Sequence, residues 1–298
     1  TAMHSKNFQI KRILIPYDFS ETADLALEHA VFMAKLHKAD IVLLHVIETY
    51  SFTSAISHAF SKSQSEFESK IESSASEKLQ QLADKLHHDS GMGVQFRTEM
   101  GKIYKTIISV AEETSADLIV MGTHGVSGFQ EFLVGTNTYR VVVGAPCPVV
   151  SVQTHARKIG FKNIVLPIDN SPASRQKVKH AVEIARHYNS IVHILGIMTM
   201  SDTDMQRRFE LKVHQVADYL AEHEIPYTTK VFKGDNTAQI TMDYATQCSA
   251  DLIVIMTEQE GGGLFMGNFA QQIVNHSKIP VMSIRPDEGD PDKISIGY

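Results

Sequence analysis

The sequence lacks the features of several large classes of protein. Only two of its 298 residues are cysteines, Cys147 and Cys248, so we expect two small buried thiols rather than a disulfide or a metal site. Its longest nearly apolar run, 141–152, contains a glycine and two prolines and is shorter than the roughly 20 residues of a membrane span. No signal peptide is recognised, and a reducing cytoplasm is the expected compartment.

Basic charge and catalytic motifs are scarce as well. Lysine and arginine number 28 against 34 acidic residues, a net charge of −6 that argues against a nucleic-acid partner. The 15 histidines show no metal-ligand spacing such as H-E-x-x-H, so no metal site built from protein side chains is predicted. The segment 125–129 is not a G-x-S-x-G nucleophile elbow, because its last residue is Phe129. No catalytic residue is predicted.

What the chain does contain is an internal repeat. Segment 11–20, KRILIPYDFS, matches segment 162–171, KNIVLPIDNS, and the run SADLIV at 115–120 recurs at 249–254. Two copies indicate two similar domains, which we place at 1–154 and 155–298 with a linker near 154–160.

Short apolar runs alternate with helical patterns in each half, which is typical of parallel α/β units. In the first half we predict strands and helices in this order: strand 13–15, helix 21–37, strand 41–47, helix 55–88, strand 94–99, helix 102–113, strand 118–121, helix 136–143 and strand 149–152. The second half follows the same plan: strand 164–168, helix 172–187, strand 191–197, helix 204–222, strand 227–232, helix 237–247, strand 252–256, helix 268–276 and strand 281–284. The expected fold class is α/β, with two tandem open parallel sheets.

A glycine-spaced loop follows the fourth strand. Gly122 and Gly125 are separated by two residues, and Gly135-Thr136 comes nine residues later, at the start of a predicted helix. Glycine lets a backbone take positive φ and approach a ligand closely, and a helix start offers N–H groups to an anion. The spacing is neither a Walker loop nor G-x-G-x-x-G. We interpret it as a phosphate cradle, with a merely tight loop as the alternative.

Three segments converge on one crevice. In open parallel sheets, ligands bind beyond the carboxyl ends of the strands, where the strand order reverses. Asp18, Val46 and Gly122 each lie at or just past such an end. Asp18 has a simpler alternative role, since an Asp after a strand commonly caps the next turn.

These motifs together resemble the universal stress protein family over nearly the whole chain. The matching segments are PYDFS at 16–20, LLHVI at 43–47, the glycine loop and APCPV at 145–149. The resemblance implies two Rossmann-like, adenine nucleotide alpha hydrolase-like domains, each with strand order 3-2-1-4-5. In ATP-binding members the first-strand Asp and the second strand hold the adenosine, and the glycine loop holds the phosphates.

Carried over by motif, two groups of residues would line a site for ATP, with or without Mg²⁺. The adenine and ribose side would be formed by Pro16, Tyr17, Asp18 and Val46. The phosphate side would be formed by Met121, Gly122, Gly125, Gly135, Thr136 and Asn137. Segment 122–136 contains no Lys or Arg, so backbone N–H groups and a divalent ion would carry the phosphates. We expect micromolar affinity, about 8 kcal/mol.

The second copy departs from this pattern. Aligning Asp117 with Asp251 places Met256 at the position of Gly122 and Gln259 near that of Gly125, and Gly267-Asn268 replaces Gly135-Thr136. A long side chain at position 256 conflicts with a phosphate that approaches the backbone. We therefore expect one nucleotide site in each chain, in the first domain.

The expected function is that of a stress-response sensor or regulator that binds ATP or a related adenine nucleotide. Two alternatives stay open: a weak ATPase, and a nucleotide-independent module that binds an apolar ligand or an unknown protein partner. The resemblance also implies that strands 149–152 and 281–284 pair edge to edge, so that the tandem chain mimics a dimer. Homodimerisation through helix 55–88 is left open.

Overall fold

The computed structural model describes residues 8–48, 54–123, 135–199, 201–257 and 266–287, and it gives the side chains of the longest helix from residue 69 onward. Its first half comprises β1 Arg12–Pro16, α1 Glu21–His37, β2 Asp40–Glu48, α2 Ser54–Ser90, β3 Val94–Gly101, α3 Ile103–Glu113, β4 Leu118–Gly122, α4 Thr136–Gly144 and β5 Val149–Val152. Every predicted element of this half is present, with its ends within two residues of the prediction.

The second half repeats the plan. It comprises β6 Asn163–Ile168, a 3-10 turn Pro172–Arg175, α5 Val178–Tyr188, β7 Ile191–Met198, α6 Thr203–Glu222, β8 Tyr227–Lys233, α7 Thr237–Gln247, β9 Leu252–Met256, α8 Asn268–His276 and β10 Val281–Ile284.

The predicted helix 172–187 is wrong at its start. The chain forms a 3-10 turn there, and α5 begins only at Val178. In a continuous α-helix the carbonyl of Ser174 would accept the N–H of residue 178. Here that carbonyl accepts a hydrogen bond from Nζ of the buried Lys177, at 2.5 Å. The lysine side chain thus folds back onto the turn that precedes α5.

The ten strands form one sheet in the order β3-β2-β1-β4-β5-β10-β9-β6-β7-β8. Neighbouring strands within each half are parallel, so both halves have the expected order 3-2-1-4-5. The strand order reverses between β1 and β4, and again between β6 and β9. Each reversal opens a crevice at the carboxyl edge of the sheet.

The two halves join through their last strands. β5 and β10 pair antiparallel, with Val150 opposite Met282 and Ser151 opposite Val281. This confirms the predicted edge-to-edge pairing within one chain. It satisfies the N–H and C=O groups of both strand edges, which would otherwise face solvent.

Helices cover both faces of the sheet, and each apolar core runs through both halves. On one face α1, α2, α5 and α6 bury a cluster that includes Ile13 and Phe161. On the other face α3, α4, α7 and α8 cover a cluster that includes Val142 and Ile253. No described helix is long and apolar enough to cross a membrane.

Candidate functional site

The predicted site residues lie around the crevice at the carboxyl edge of the first half. Pro16 ends β1, Val46 lies near the end of β2, and Met121 and Gly122 end β4. Gly135 is the N-cap of α4, whose first two residues are Thr136 and Asn137. Gly125 lies outside the described residues.

Asp18 shapes the turn between β1 and α1. Its Oδ1 accepts hydrogen bonds from the backbone N–H of Ser20, at 3.0 Å, and from the Ser20 hydroxyl, at 2.5 Å. The Ser20 hydroxyl oxygen in turn accepts the N–H of Ala23, at 3.1 Å, and caps α1. Asp18 thus has the capping role offered as the alternative. Both of these hydrogen bonds are accepted by Oδ1.

Tyr17 faces the crevice with its backbone only. Its side chain is buried, and its hydroxyl donates to Asp24 in α1. Burial raises the pKa of Tyr17, and the hydrogen bond to Asp24 raises it further. The Tyr17 carbonyl accepts a hydrogen bond from Nδ1 of His45, at 2.8 Å, which ties the ends of β1 and β2 together.

An aromatic pair that the sequence analysis did not single out lies beside this turn. The Phe19 ring is 4.9 Å from the His45 ring and 5.1 Å from the Tyr17 ring, between centroids. Phe19 is 39% exposed and has φ of 63°, a left-handed conformation that is costly for a bulky residue. Its position directly after Asp18 in the repeated motif was the available sequence signal.

The structure describes two glycines of the loop, Gly122 and Gly135, and they do not have the positive φ that the sequence analysis associated with such glycines. A Cβ on Gly122 would lie 3.0 Å from the carbonyl oxygen of Thr22, so the glycine lets β4 approach the start of α1. Met121 is also buried in the core, which leaves its backbone as the part that can face a ligand.

The start of α4 is held against the end of β4. The N–H of Gly135 donates to the carbonyl of Thr123 at 3.0 Å, and the Thr138 hydroxyl lies 3.3 Å from the carbonyl of Gly122. Gly135, as the N-cap residue, has no side chain that could cap α4. The N–H groups of Thr136 and Asn137 have no acceptor within the helix and point out of its positive end.

The corresponding turn of the second half is held by additional side chains. Oδ1 of Asp169 accepts the N–H of Ser171 at 2.8 Å, the same turn as at Asp18. Burial alone would raise the pKa of Asp169, but the ammonium of Lys177 and the neighbouring serines lower it. From α6, Nζ of Lys212 donates to the carbonyl of Asn170 at 3.1 Å.

The proposed correspondence of Gly122 and Met256 agrees with the sheet. Oδ2 of Asp117 accepts the N–H groups at the start of β1, and Oδ2 of Asp251 accepts those at the start of β6. Gly122 and Met256 each end their strand, five residues further on. Met256 is buried. Gln259 lies outside the part of the chain that the structure describes.

A separate groove of about 830 Å³ lies between α7 and α8 in the second half. Met242, Thr246, Gln272 and His276 are among the residues that line it. It contains none of the predicted site residues.

Comparison with known proteins decides the family. The model of the universal stress protein family matches residues 9–153 and again residues 160–285. The chain belongs to the universal stress protein family. A relative from Mycolicibacterium smegmatis, itself named a universal stress protein, is 27% identical over 92% of this chain and 97% of its own length.

Two further comparisons agree with this family. Universal stress protein MJ0577 of Methanocaldococcus jannaschii is 29% identical over 154 residues, which are 48% of this chain and 94% of that protein. The crystal structure of a universal stress protein from Archaeoglobus fulgidus superposes with a TM-score of 0.73 over 95% of this chain and 99% of that one, at 18% identity. That structure therefore matches the fold of both halves of this chain.

Proposed function

We propose that the first half of the chain binds ATP or a related adenine nucleotide, and that the protein acts as a stress-response sensor or regulator. The observation that carries the proposal is the meeting of the Asp18 turn, the end of β2 and the glycine-capped start of α4 at one strand-order reversal. The nucleotide would serve as a conformational ligand rather than as a fuel.

The adenosine side would be built from β1 and β2. Oδ2 of Asp18 can accept hydrogen bonds from ribose hydroxyls while Oδ1 continues to hold the turn. The half-exposed Phe19 ring, supported by His45, offers an aromatic surface beside the backbone of Tyr17 and Val46. Such a surface suits a purine ring.

The phosphate side would be built from α4. The N–H groups of Thr136 and Asn137 and the Thr136 hydroxyl are donors at the positive end of a nine-residue helix. Because segment 122–136 has no Lys or Arg, Mg²⁺ would have to neutralise much of the triphosphate charge. This donor set supports affinity in the micromolar range, about 8 kcal/mol.

One nucleotide per chain is the expected stoichiometry. In the second half, Lys177 compensates the carboxylate of Asp169 from within the protein. Met256 brings a side chain to the strand end where the first half has Gly122.

Calorimetric titration of the nucleotide-free chain with Mg-ATP tests both the site and its number. Asp18→Asn keeps an oxygen that can accept from Ser20, and it should weaken binding by about 10-fold through loss of a charged hydrogen-bond acceptor. Asp169→Asn is the matched control, since it changes the same turn in the other half and should leave affinity unchanged.

Binding of one nucleotide that is weakened only by Asp18→Asn would support the proposal. Binding of two nucleotides per chain would refute the expectation that only the first half binds. No binding would refute the proposal and favour the nucleotide-independent module.

A further inference from the structure

Three potential metal ligands meet where the two halves touch. His37 is the last residue of α1, and Glu183 and His187 lie one turn apart on α5. Oε1 of Glu183 is 3.5 Å from Nδ1 of His37 and 3.5 Å from Nδ1 of His187. One ligand atom from each residue can be chosen so that all lie within 4.8 Å of one another. We propose that these three side chains bind a divalent transition-metal ion, with zinc as the best match.

The His37 side chain points to a ligand. It is only 1% exposed, yet neither of its ring nitrogens has a hydrogen-bond partner among the described residues. The 3.5 Å separation from Glu183 is longer than a normal hydrogen bond. A neutral imidazole whose ring nitrogen has no other partner can offer a lone pair to a metal. A bound ion would satisfy a buried polar group that otherwise costs free energy.

The pair on α5 is arranged as metal ligands often are. Glu183 and His187 are four residues apart, so they share one face of the helix. Nδ1 of His187 lies 2.9 Å from the backbone carbonyl of Glu183, which makes Nδ1–H the donor in the neutral ring. With Nδ1 held by the backbone, Nε2 is the nitrogen left for an ion, and the ring must turn to bring it to the cluster.

The surrounding backbone favours a cation. Both α1 and α5 end at this cluster, at His37 and Tyr188, and the carboxyl end of a helix carries partial negative charge. The positive charge nearest to Glu183 on its own helix is Arg186, whose Nη1 is 3.9 Å from Oε2. That contact leaves Oε1 facing the two histidines.

Two imidazoles and one carboxylate, with a fourth position for water, are a common zinc environment. The two histidine rings are stacked, with centroids 3.9 Å apart and planes inclined by 27°. Binding therefore requires the rings to turn until a nitrogen of each reaches about 2.0–2.2 Å from the ion. Because the ligands come from α1 and α5, the ion would clamp the first half of the chain to the second. The motif search for histidine spacings missed this set because it joins positions 146 residues apart.

The test uses the full chain, stripped of metal and nucleotide. It is titrated with zinc chloride by calorimetry, and with cobalt(II), whose visible spectrum distinguishes four-coordinate from fully hydrated ions. The variants are His37→Gln and His187→Gln. The control is His88→Gln, which removes an exposed histidine that also lies beside a carboxylate, that of Asp89.

We expect one ion per chain and a four-coordinate cobalt spectrum in the unaltered protein and in the control. Each ligand variant should lose more affinity than the roughly 10–100-fold that loss of an outer-shell partner costs. Zinc should also raise the melting temperature of the unaltered protein.

Absence of binding, or binding that both ligand variants retain, would overturn the proposal. A hydrated cobalt spectrum in the unaltered chain would also overturn it, and this result does not depend on the variants folding. A melting temperature that zinc leaves unchanged would also refute the metal site.

Discussion

Gly122 and Thr22 lie so close together that residue 122 has no room for a side chain. A Cβ on Gly122 would be 2.8 Å from Cγ2 of Thr22 and 3.0 Å from its carbonyl oxygen. The carbonyl belongs to the first turn of α1 and cannot move without displacing the helix. The glycine at the end of β4 is therefore required for packing α1 on the sheet, independently of any ligand.

Gly122→Ala should lower the free energy of unfolding by about 1–3 kcal/mol, because the added methyl group overpacks the contact with α1. Gly135→Ala is the matched change at the other end of the loop. Its Cβ would meet only the Thr123 carbonyl, at 3.2 Å, and its φ of −55° suits alanine, so the loss should be smaller. Urea denaturation of both variants measures the difference. Equal losses would contradict the packing role of Gly122.

Phe19→Asn should separate binding from stability. Asparagine tolerates the left-handed backbone, so the variant should relieve strain at φ of 63° and keep or raise the melting temperature. It also removes the aromatic surface beside His45, and Mg-ATP affinity should fall by about 1–2 kcal/mol, the range of a base-stacking contact. Calorimetry and thermal denaturation give the two readouts. Unchanged affinity would exclude Phe19 from the nucleotide site.

Lys177 and Asp169 should be coupled in a double-mutant cycle. Lys177 is buried and Asp169 is partly buried, and removing the ammonium alone leaves the carboxylate with hydrogen bonds but without its cation, so Lys177→Met should cost about 1–3 kcal/mol. Adding Asp169→Asn should recover part of that loss. Denaturant unfolding of the four proteins measures the coupling. Additive effects would show that the two charges do not interact.

His180 should make the protein less stable in mild acid. Burial lowers the pKa of its imidazole to about 3, well below the value of roughly 6.5 in the unfolded chain. As the pH falls below about 6.5 the unfolded state binds a proton that the folded state refuses, so stability decreases until the pH reaches about 3. From pH 7 to pH 5 this residue should account for about 2 kcal/mol.

His180→Leu should flatten that pH dependence, since leucine has no proton to bind. His88→Leu, at an exposed histidine, is the control and should leave the slope unchanged. Urea denaturation at pH 7 and pH 5 provides the comparison. An unchanged slope in His180→Leu would mean that the folded protein binds a proton at this imidazole as readily as the unfolded chain does.

Local signals accounted for most of the fold. The Ser20 cap and the apolar period of 21–37 predict α1 with both ends correct, because capping and helical periodicity act over a few residues. The repeated segments at 11–20 and 162–171 place β1 and β6 in the same way. The resemblance supplied the strand order and the pairing of β5 with β10.

Prediction from the sequence was weaker where a side chain contacts a residue outside its own helix or strand. Helix 172–187 was placed too early because the pattern does not reveal that Lys177 turns back to bind Ser174. Phe19 was overlooked because its strained backbone and its contact with His45 arise only when β1 and β2 lie side by side.

The sequence by itself determined the two α/β units, most of their element boundaries and the segments that end at the crevice, because these depend on short-range patterns. Tertiary structure alone decided that Gly122 serves the contact with Thr22 and that His37 meets the Glu183–His187 pair. Such contacts join residues about 100 or more positions apart. Their energies depend on distances of a few ångströms, which are set only when the sheet and its helices have assembled.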